Sequence, residues 1–334
     1  MKVCVVTSSF PRDDNDYRGI FLLRLFRAAR DLGIEVVVVA PQEPDGQSVH
    51  VIDGVEVRRF RYWHDPRRHA LATGVGILPN LRRNPGTCLQ VPPFLGAMIR
   101  AAIRHSRGAD IIHSCWTSSA PAGQVAAWWR GVPHVVMPCG SDIRSMPRWY
   151  NRLVLRRADA VISPGYELLR RLPGEIDVAV DAAIEFPIDE ERFQPRPPDG
   201  ALQQELGLAR GQPVVLFVAR LYDFKDPLTL VEATPEILRR HPSVKVVFVV
   251  DGVLEAAMRQ RIAELGIGPH VILTGRRSDV DRFHTLASVF CALSPVNNAW
   301  SSAVAEAMSM RVPCVITASG HSPEFFTDRV DCLL

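Results

Sequence analysis

Short hydrophobic runs alternate with amphipathic stretches along the first half of the chain. The runs predict strands at Lys2–Thr7, Glu35–Ala40, Asp110–His113, His134–Met137 and Asp159–Ser163, and a hairpin at Val49–Phe60 that turns at Asp53-Gly54. The amphipathic stretches predict helices at Gly19–Leu32, Pro92–His105, Ser119–Arg130, Arg148–Arg157 and Tyr166–Leu172. Continuous apolar strands separated by helices are typical of a parallel sheet that is covered on both faces.

A segment rich in proline, Phe193–Gly200, predicts a linker, after which the alternation resumes. The second half predicts strands at Pro213–Val218, Val244–Val250, Val271–Thr274, Val289–Leu293 and Pro313–Thr317. Its predicted helices are Pro227–Arg240, Leu254–Leu265, Val280–Leu286 and Ser301–Met310. The pattern predicts an α/β protein of two doubly wound, Rossmann-like parallel-sheet domains, 1–195 and 196–334, facing each other across a cleft. Ligands of such sheets bind beyond the carboxyl ends of the strands, so we expect the chemistry in the loops that follow them.

The composition narrows the class of protein. The chain has 334 residues, of which 47% are hydrophobic and 22% charged, as in globular proteins. No apolar run approaches the roughly 20 residues of a bilayer-crossing helix, and the run Val3–Val6 is too short for a signal peptide. Seven scattered cysteines without a CxxC pair argue against a disulfide scaffold or a zinc ribbon. These features predict a protein of the reducing cytoplasm.

The formal net charge is only +3, but the basic residues are unevenly placed. Arginine supplies 36 of the 39 basic residues, and ten arginines lie from Arg58 to Arg107 against a single acid, Asp65. Such a block is typical of a surface that meets an anionic acceptor or the inner leaflet of a membrane, rather than a nucleic acid. We expect that contact to be made by Arg82, Arg83, Arg100, Arg104 and Arg107.

The loop after the first strand lacks the glycine pattern of a dinucleotide site. Its sequence is Thr7-Ser8-Ser9-Phe10-Pro11, which argues against an enzyme that transfers hydride from a dinucleotide. Gly19 stands just ahead of the first predicted helix. There it either lets a phosphate or a sugar approach the free N–H groups of the helix or serves only as a turn.

The second half carries a pair of cations in the loop after its first strand. Arg220 and Lys225 can converge on a diphosphate, with a solvated pair as the alternative. Farther along, the helix that starts near Ser301 would turn its free N–H groups and positive dipole end toward the same site. Glu306 lies within that helix among alanines and valine, where a buried carboxylate needs a partner. It is otherwise an exposed helix position or one half of a buried ion pair.

Taken together, several short motifs resemble one family over nearly the whole chain. They are Ser9-Phe10-Pro11, Asp110–His113, Gly140-Ser141-Asp142, Arg220 to Lys225, Asp251-Gly252, Thr274-Gly275, Glu306-Ala307-Met308 and Gly320 to Glu324. With these motifs the chain resembles the retaining, nucleotide-sugar-dependent glycosyltransferases of the GT-B fold, in the large family numbered four, the group 1 glycosyltransferases. The resemblance implies transfer of a hexose-type sugar from a UDP- or GDP-sugar to a hydroxyl of a glycan or lipid-linked acceptor, as in polysaccharide or glycolipid biosynthesis. It implies no metal and no cofactor besides the sugar nucleotide.

The resemblance also implies roles for single residues. Arg220 and Lys225 match the basic pair on the donor diphosphate, and Glu306 matches the acid that holds the ribose hydroxyls. Gly275 and Arg276 lie where the nucleobase is bound. The donor sugar and the start of the donor-site helix are matched by Asn298, Ala299, Trp300, Ser301 and Ser302. The first domain is expected to bind the acceptor and to make peripheral contact with an anionic membrane. Cys139 is expected near the reaction centre, and Gly19 among the residues that bind the nucleotide sugar.

Three departures from the family pattern lead to a further expectation. Asn298 replaces a glutamate, Cys139 replaces a frequent histidine, and the sequence stops at Asp331–Leu334 inside an apparent strand, before the family's usual C-terminal helices. We therefore expect this chain as given to be catalytically impaired or incomplete. The alternatives are a non-catalytic relative that binds the nucleotide sugar without transfer, or a nucleotide-sugar epimerase or a phosphorylase on the same fold. A pyridoxal-phosphate phosphorylase would need a cofactor lysine, and Lys2 and Lys245 offer no obvious candidate beside Lys225.

Overall fold

The structure is a computed structural model that divides into two compact units, Met1–Pro187 and Ile188–Leu334. It describes residues 1–13, 16, 19–43, 47–73, 76–139, 143, 145–163, 181–185, 187–249, 251–295, 301–319 and 322–334.

The first unit is built on one mainly parallel sheet. Its strands are β1 Lys2–Thr7, β2 Glu35–Pro41, β3 Val49–Ile52, β4 Val55–Phe60, β5 Ile111–Cys115, β6 His134–Met137, β7 Ala160–Ser163 and β8 Ala182–Ala183. They lie in the order β3-β4-β2-β1-β5-β6-β7-β8. Among the described strands, the antiparallel pair is β3 with β4, which confirms the predicted hairpin. Asp53 and Gly54 turn it with φ angles of 47° and 77°, a conformation that favours Asp and Gly.

Helices cover both faces of this sheet. They are α1 Ile20–Asp31, α2 Ile77–Arg83, α3 Val91–His105, α4 Ala120–Arg130 and α5 Arg148–Leu155. Side chains of a strand alternate between faces. Val3 and Val5 of β1 therefore join the core that contains Phe26 of α1, whereas Cys4 and Val6 join the core that contains Met98 of α3. The predicted two-sided parallel sheet is confirmed.

The second unit repeats this design. Its strands are β9 Val214–Val218, β10 Lys245–Val249, β11 Val271–Leu273, β12 Val289–Ala292 and β13 Cys314–Ile316. All pair in parallel, in the order β11-β10-β9-β12-β13. The helices are α6 Gly200–Glu205, α7 Pro227–Arg240, α8 Glu255–Glu264, α9 Val280–His284, α10 Ser302–Ser309 and α11 Ser322–Phe325. Each element predicted for this half is present within two residues of its predicted bounds.

The division between the units falls at Pro187, whereas the sequence pattern placed it at residue 195. The intervening segment belongs to the second unit because Phe193 is buried in that unit's core and Arg192 pairs with Asp281 at 2.6 Å. The end of the predicted linker belongs to a helix cap. The Asp199 carboxylate caps α6 by accepting a hydrogen bond from the Leu202 N–H at 2.9 Å. The predicted helix Tyr166–Leu172 lies outside the described residues.

Candidate functional site

The order of the strands places a candidate site at the carboxyl ends of β9 and β12. From β9 the chain proceeds outward to β10 and β11, then returns to the other side of β9 with β12 and β13. Loops that leave two neighbouring strands in opposite directions open a crevice between them. A cavity of about 170 Å³ lies there. It is lined by residues of β9 and β12, by the residue that follows each strand, and by Lys225, Ser301 and Ala303.

Lys225 lies on a 3₁₀ turn, Asp223–Lys225, that follows β9. Its Nζ is 5.8 Å from the centre of the Phe224 ring, and the Arg220 guanidinium carbon is 5.3 Å from the centre of the Tyr222 ring. The two rings are stacked with their centres 5.7 Å apart. Cation–π contacts therefore bracket the loop at both ends. Arg220 is exposed and does not line the cavity, so of the predicted basic pair only Lys225 reaches it.

The backbone of this loop is fixed against the loop that follows β10. The Leu221 N–H donates to the Asp251 carbonyl at 3.1 Å, and the Leu254 N–H donates to the Leu221 carbonyl at the same distance. Between them Gly252 lies so close that a Cβ there would be 2.4 Å from the Leu221 oxygen. The motif Asp251-Gly252 therefore positions the Arg220–Lys225 loop, a role that the sequence pattern alone did not indicate.

Two serines that sequence reasoning missed tie the same loop to β12 and β13. The buried Ser294 hydroxyl, just beyond β12, donates to the Phe224 carbonyl. The Ser319 hydroxyl, just beyond β13, donates to the Ser294 carbonyl at 2.8 Å. Ser294 follows its predicted strand by one position and Ser319 follows its predicted strand by two, which is the available sequence signal. The turn that carries Lys225 is thus connected to three strand ends.

Helix α10 begins at the cavity. The Ser301 hydroxyl caps it by accepting a hydrogen bond from the Val304 N–H at 3.2 Å, and Ser302 is its first residue. The N-terminus of a helix attracts anions because its N–H groups are unpaired and its dipole is positive there. Glu306 is only 7% exposed in the second turn, which excludes the alternative that it is an exposed helix position. It does not line the cavity.

Gly275 and Arg276 follow β11 at the same edge of the sheet. Gly275 has a φ of 68°, and its carbonyl accepts a hydrogen bond from the Thr274 hydroxyl at 2.9 Å. Arg276 is exposed, and neither residue lines the cavity. The next residue, Arg277, donates to Asp279 and lowers the pKa of that carboxyl to about 2.

The first unit has an equivalent edge where the loops after β1 and β5 diverge. Gly19 is the N-cap of α1 and has a left-handed φ of 72°, so the chain turns there at the start of the helix. The Ser8 and Ser118 hydroxyls, one from each loop, are hydrogen-bonded at 3.1 Å. Cys139, after β6, is half-buried, and its thiol donates to the Met137 carbonyl at 3.6 Å.

Both units match known protein families. Residues 199–334 match the family model described as glycosyl transferases group 1, and residues 19–180 match a glycosyl transferase 4-like domain. The second unit therefore carries a group 1 glycosyltransferase domain, and the first unit a glycosyl transferase 4-like domain. Both family models, the relatives and the structural neighbours support a hexosyltransferase-type enzyme with the GT-B fold.

Two relatives and one solved structure illustrate the similarity of this glycosyltransferase to known proteins. TuaC of Bacillus subtilis (strain 168), a glycosyltransferase named for teichuronic acid biosynthesis, is 22% identical over 98% of the chain and 83% of its own length. The UDP-Gal:alpha-D-GlcNAc-diphosphoundecaprenol alpha-1,3-galactosyltransferase of Escherichia coli is 27% identical over 62% of the chain and 57% of its own. Anabaena HepE, solved with UDP and glucose, has a TM-score of 0.72 at 17% identity, over 100% of this chain and 84% of that one. The last similarity concerns the fold alone.

The arginine block of the glycosyltransferase contains both buried and exposed side chains. Arg59 is buried. Backbone carbonyls satisfy its guanidinium, which donates to those of Phe10 and Pro41 at 3.3 Å and to that of Pro11. For Arg59 the predicted contact with an anionic acceptor or a membrane is wrong, because the side chain is buried. The alternation of Val55, Val57 and Arg59 in β4 was the signal for it, since these residues share one face of the strand. Exposed positions on α2 and α3 or just beyond them are taken by Arg82, Arg83, Arg100, Arg104 and Arg107.

Several predicted residues of the glycosyltransferase lie outside the described residues, among them Asn298, Ala299, Trp300 and Gly140-Ser141-Asp142. Within the described ranges, no group of three His, Cys, Asp or Glu side chains is arranged to hold a metal ion. In the same part of the chain, no helix has the length and apolar character needed to cross a membrane.

Proposed function

We propose that this glycosyltransferase transfers a sugar from a UDP- or GDP-sugar to a hydroxyl of a glycan or lipid-linked acceptor, with retention of configuration. The observation that carries the proposal is the cavity at the divergence of β9 and β12, with Lys225 on one side and the capped start of α10 on the other. One of the chain's three lysines thus lines the place where such sheets bind nucleotides. The names of the UDP-Gal-dependent relative and of the UDP-bound HepE support a sugar nucleotide as donor.

The proposed chemistry rests on charge at the departing diphosphate. When the bond from the anomeric carbon to the diphosphate breaks, negative charge grows on the leaving oxygens. The Lys225 ammonium and the free N–H groups at the start of α10 are fixed in advance and would stabilise that charge, which is commonly the largest catalytic contribution. Arg220 would bind the diphosphate from the exposed side of the loop and Glu306 the ribose. The proposal includes no metal and no carboxylate nucleophile.

The acceptor is assigned to the first unit in this proposal, on the cytoplasmic side of an anionic membrane. The exposed arginines of α2 and α3 would attract a phosphate-bearing acceptor or lipid headgroups. Each basic residue near such a surface contributes about 1 kcal/mol. Flotation with neutral and anionic vesicles at low salt tests this part, and equal binding to both would remove the membrane contact from the proposal.

The donor is tested by thermal shift of the whole chain with UDP-, GDP- and ADP-sugars, followed by product analysis with the donor that binds. A ligand that binds only the folded state raises the melting temperature, so the preferred donor should separate from the others. Proton NMR of the product reports the anomeric configuration. Donor binding with neither transfer nor hydrolysis would favour the non-catalytic alternative. Conversion of the sugar nucleotide itself to an epimer, without transfer, would favour the epimerase.

A further inference from the structure

Trp116 adopts a backbone conformation that large side chains rarely adopt. Its φ is 65°, in the left-handed region, and it follows directly after β5. A bulky residue persists there only where its surroundings enforce it, and such positions concentrate at functional sites. Trp116 packs against the core on the α1 side of the sheet, and its rare backbone conformation makes it a candidate for a role in addition to that packing.

The surroundings hold both the backbone and the ring of Trp116. Its N–H donates to the Met137 carbonyl at 2.9 Å, and its own carbonyl accepts from the Ser119 hydroxyl at 2.9 Å. The indole meets the Phe21 ring of α1 edge to face, with ring centres 5.9 Å apart. The residue is half-buried, so part of the side chain remains accessible. The indole is thus a pre-positioned apolar surface at the carboxyl edge of the sheet.

The hydroxyls of Ser8 and Ser118, and Cys139, which is predicted to lie near the reaction centre, are at the same edge of the sheet as Trp116. Ser118, two residues after Trp116, is hydrogen-bonded through its hydroxyl to that of Ser8, and both serines are half-buried. The Cys139 thiol donates to the Met137 carbonyl, the same acceptor that the Trp116 N–H uses. The loop of Ser8 is held from beneath by Arg59, which donates to the carbonyls of the two residues after Ser9. An aromatic ring and hydroxyls are thereby presented on a fixed frame.

We propose that Trp116, with Ser8 and Ser118, forms a subsite for a pyranose ring of the acceptor. The inference rests on the proposed function and specifies its acceptor as carbohydrate at this point, rather than a lipid chain. A sugar ring has an apolar C–H face that suits an indole, and its hydroxyls can donate to and accept from serine hydroxyls. The hydrogen bond between Ser8 and Ser118 uses only one of their two O–H donors, and a hydrocarbon chain could not accept a hydrogen bond from the other. An open-chain polyol has no ring face to stack.

The test measures binding of methyl glycosides, which need no turnover. Saturation-transfer NMR with methyl glucoside, galactoside and mannoside, and with glycerol for comparison, is recorded on the full chain and on variants. We expect signals from ring C–H protons for at least one glycoside and none for glycerol. Trp116→Ala should weaken that glycoside about tenfold and Trp116→Phe much less. The matched control Trp128→Ala, which removes a tryptophan 77% exposed on α4, should change nothing.

Three results would overturn the inference. They are no binding of any methyl glycoside by the wild-type chain, equal binding by Trp116→Ala and wild type, and an equal loss in Trp128→Ala. If Trp116→Ala does not fold, glycoside binding is measured on Ser118→Ala instead. An unchanged glycoside affinity in Ser118→Ala would contradict the subsite. The thermal shift with donor separates this inference from the proposed function. If no sugar nucleotide binds, the proposed function is wrong. Glycoside binding at Trp116 is measured separately and can still be present or absent in that case.

Discussion

Gly252→Ala should damage the donor site without touching a charged group. An added Cβ would lie 2.4 Å from the Leu221 oxygen, 2.6 Å from its nitrogen and 2.7 Å from its carbonyl carbon. Ordinary contact begins at 3.4 Å, so the backbone at Leu221 must retreat by about 1 Å. That displacement lengthens the two hydrogen bonds that join Leu221 to Asp251 and Leu254.

The magnitude follows from these contacts. Overpacking of a tight contact costs about 1–3 kcal/mol, and each weakened backbone hydrogen bond contributes about 1 kcal/mol to that total. The free energy of unfolding should fall by about 1–3 kcal/mol. Because the loop that moves carries Arg220 and Lys225, donor affinity should fall as well, and a shift of 1 Å can cost ~100-fold in rate.

Urea unfolding and calorimetric titration with the preferred sugar nucleotide measure the two effects of Gly252→Ala. Gly268→Ala is the matched control, because that glycine is in the same unit and a Cβ there would meet nothing within 4 Å. The control should stay within about 0.5 kcal/mol of wild type. Wild-type stability and donor affinity in Gly252→Ala would refute the reasoning that this close contact positions the loop.

Three further predictions concern single side chains. Lys225→Ala should weaken the donor by ~1.5–3 kcal/mol in titration calorimetry, while Lys245→Ala, whose ammonium donates to a backbone carbonyl outside the cavity, should not. Glu306→Gln should weaken free UDP and GDP alike; normal binding of both with altered preference among sugars would place Glu306 elsewhere. Asp279 has a folded pKa of about 2 against 3.8, so its stabilisation is complete above 3.8 and is lost as the pH falls through 2. Acid titration of urea unfolding should show a shallower loss for Asp279→Asn, and an unchanged profile would contradict this.

The sequence by itself determined the elements and their order. Strand β1 and helix α7 have the bounds that hydrophobic periodicity predicts, because inward and outward positions repeat with a period that each element fixes locally. The Asp53-Gly54 turn was likewise evident, since its chemistry lies in two adjacent residues. Among the candidate site residues, Lys225 follows a strand and Ser301 precedes a helix, and both line the cavity.

Only the tertiary structure decided which side chains meet across long separations. Arg59 resembles its neighbours in the arginine block, yet its partners Phe10 and Pro11 are 49 and 48 residues away. Ser294 is one serine among many until β12 brings it to the Phe224 carbonyl, 70 residues earlier. The left-handed φ of Trp116 is enforced by contacts to β6 and α1, and nothing in a tryptophan's local preference predicts it. Local patterns encode periodicity, whereas these contacts depend on strand register and on the close approach of loops.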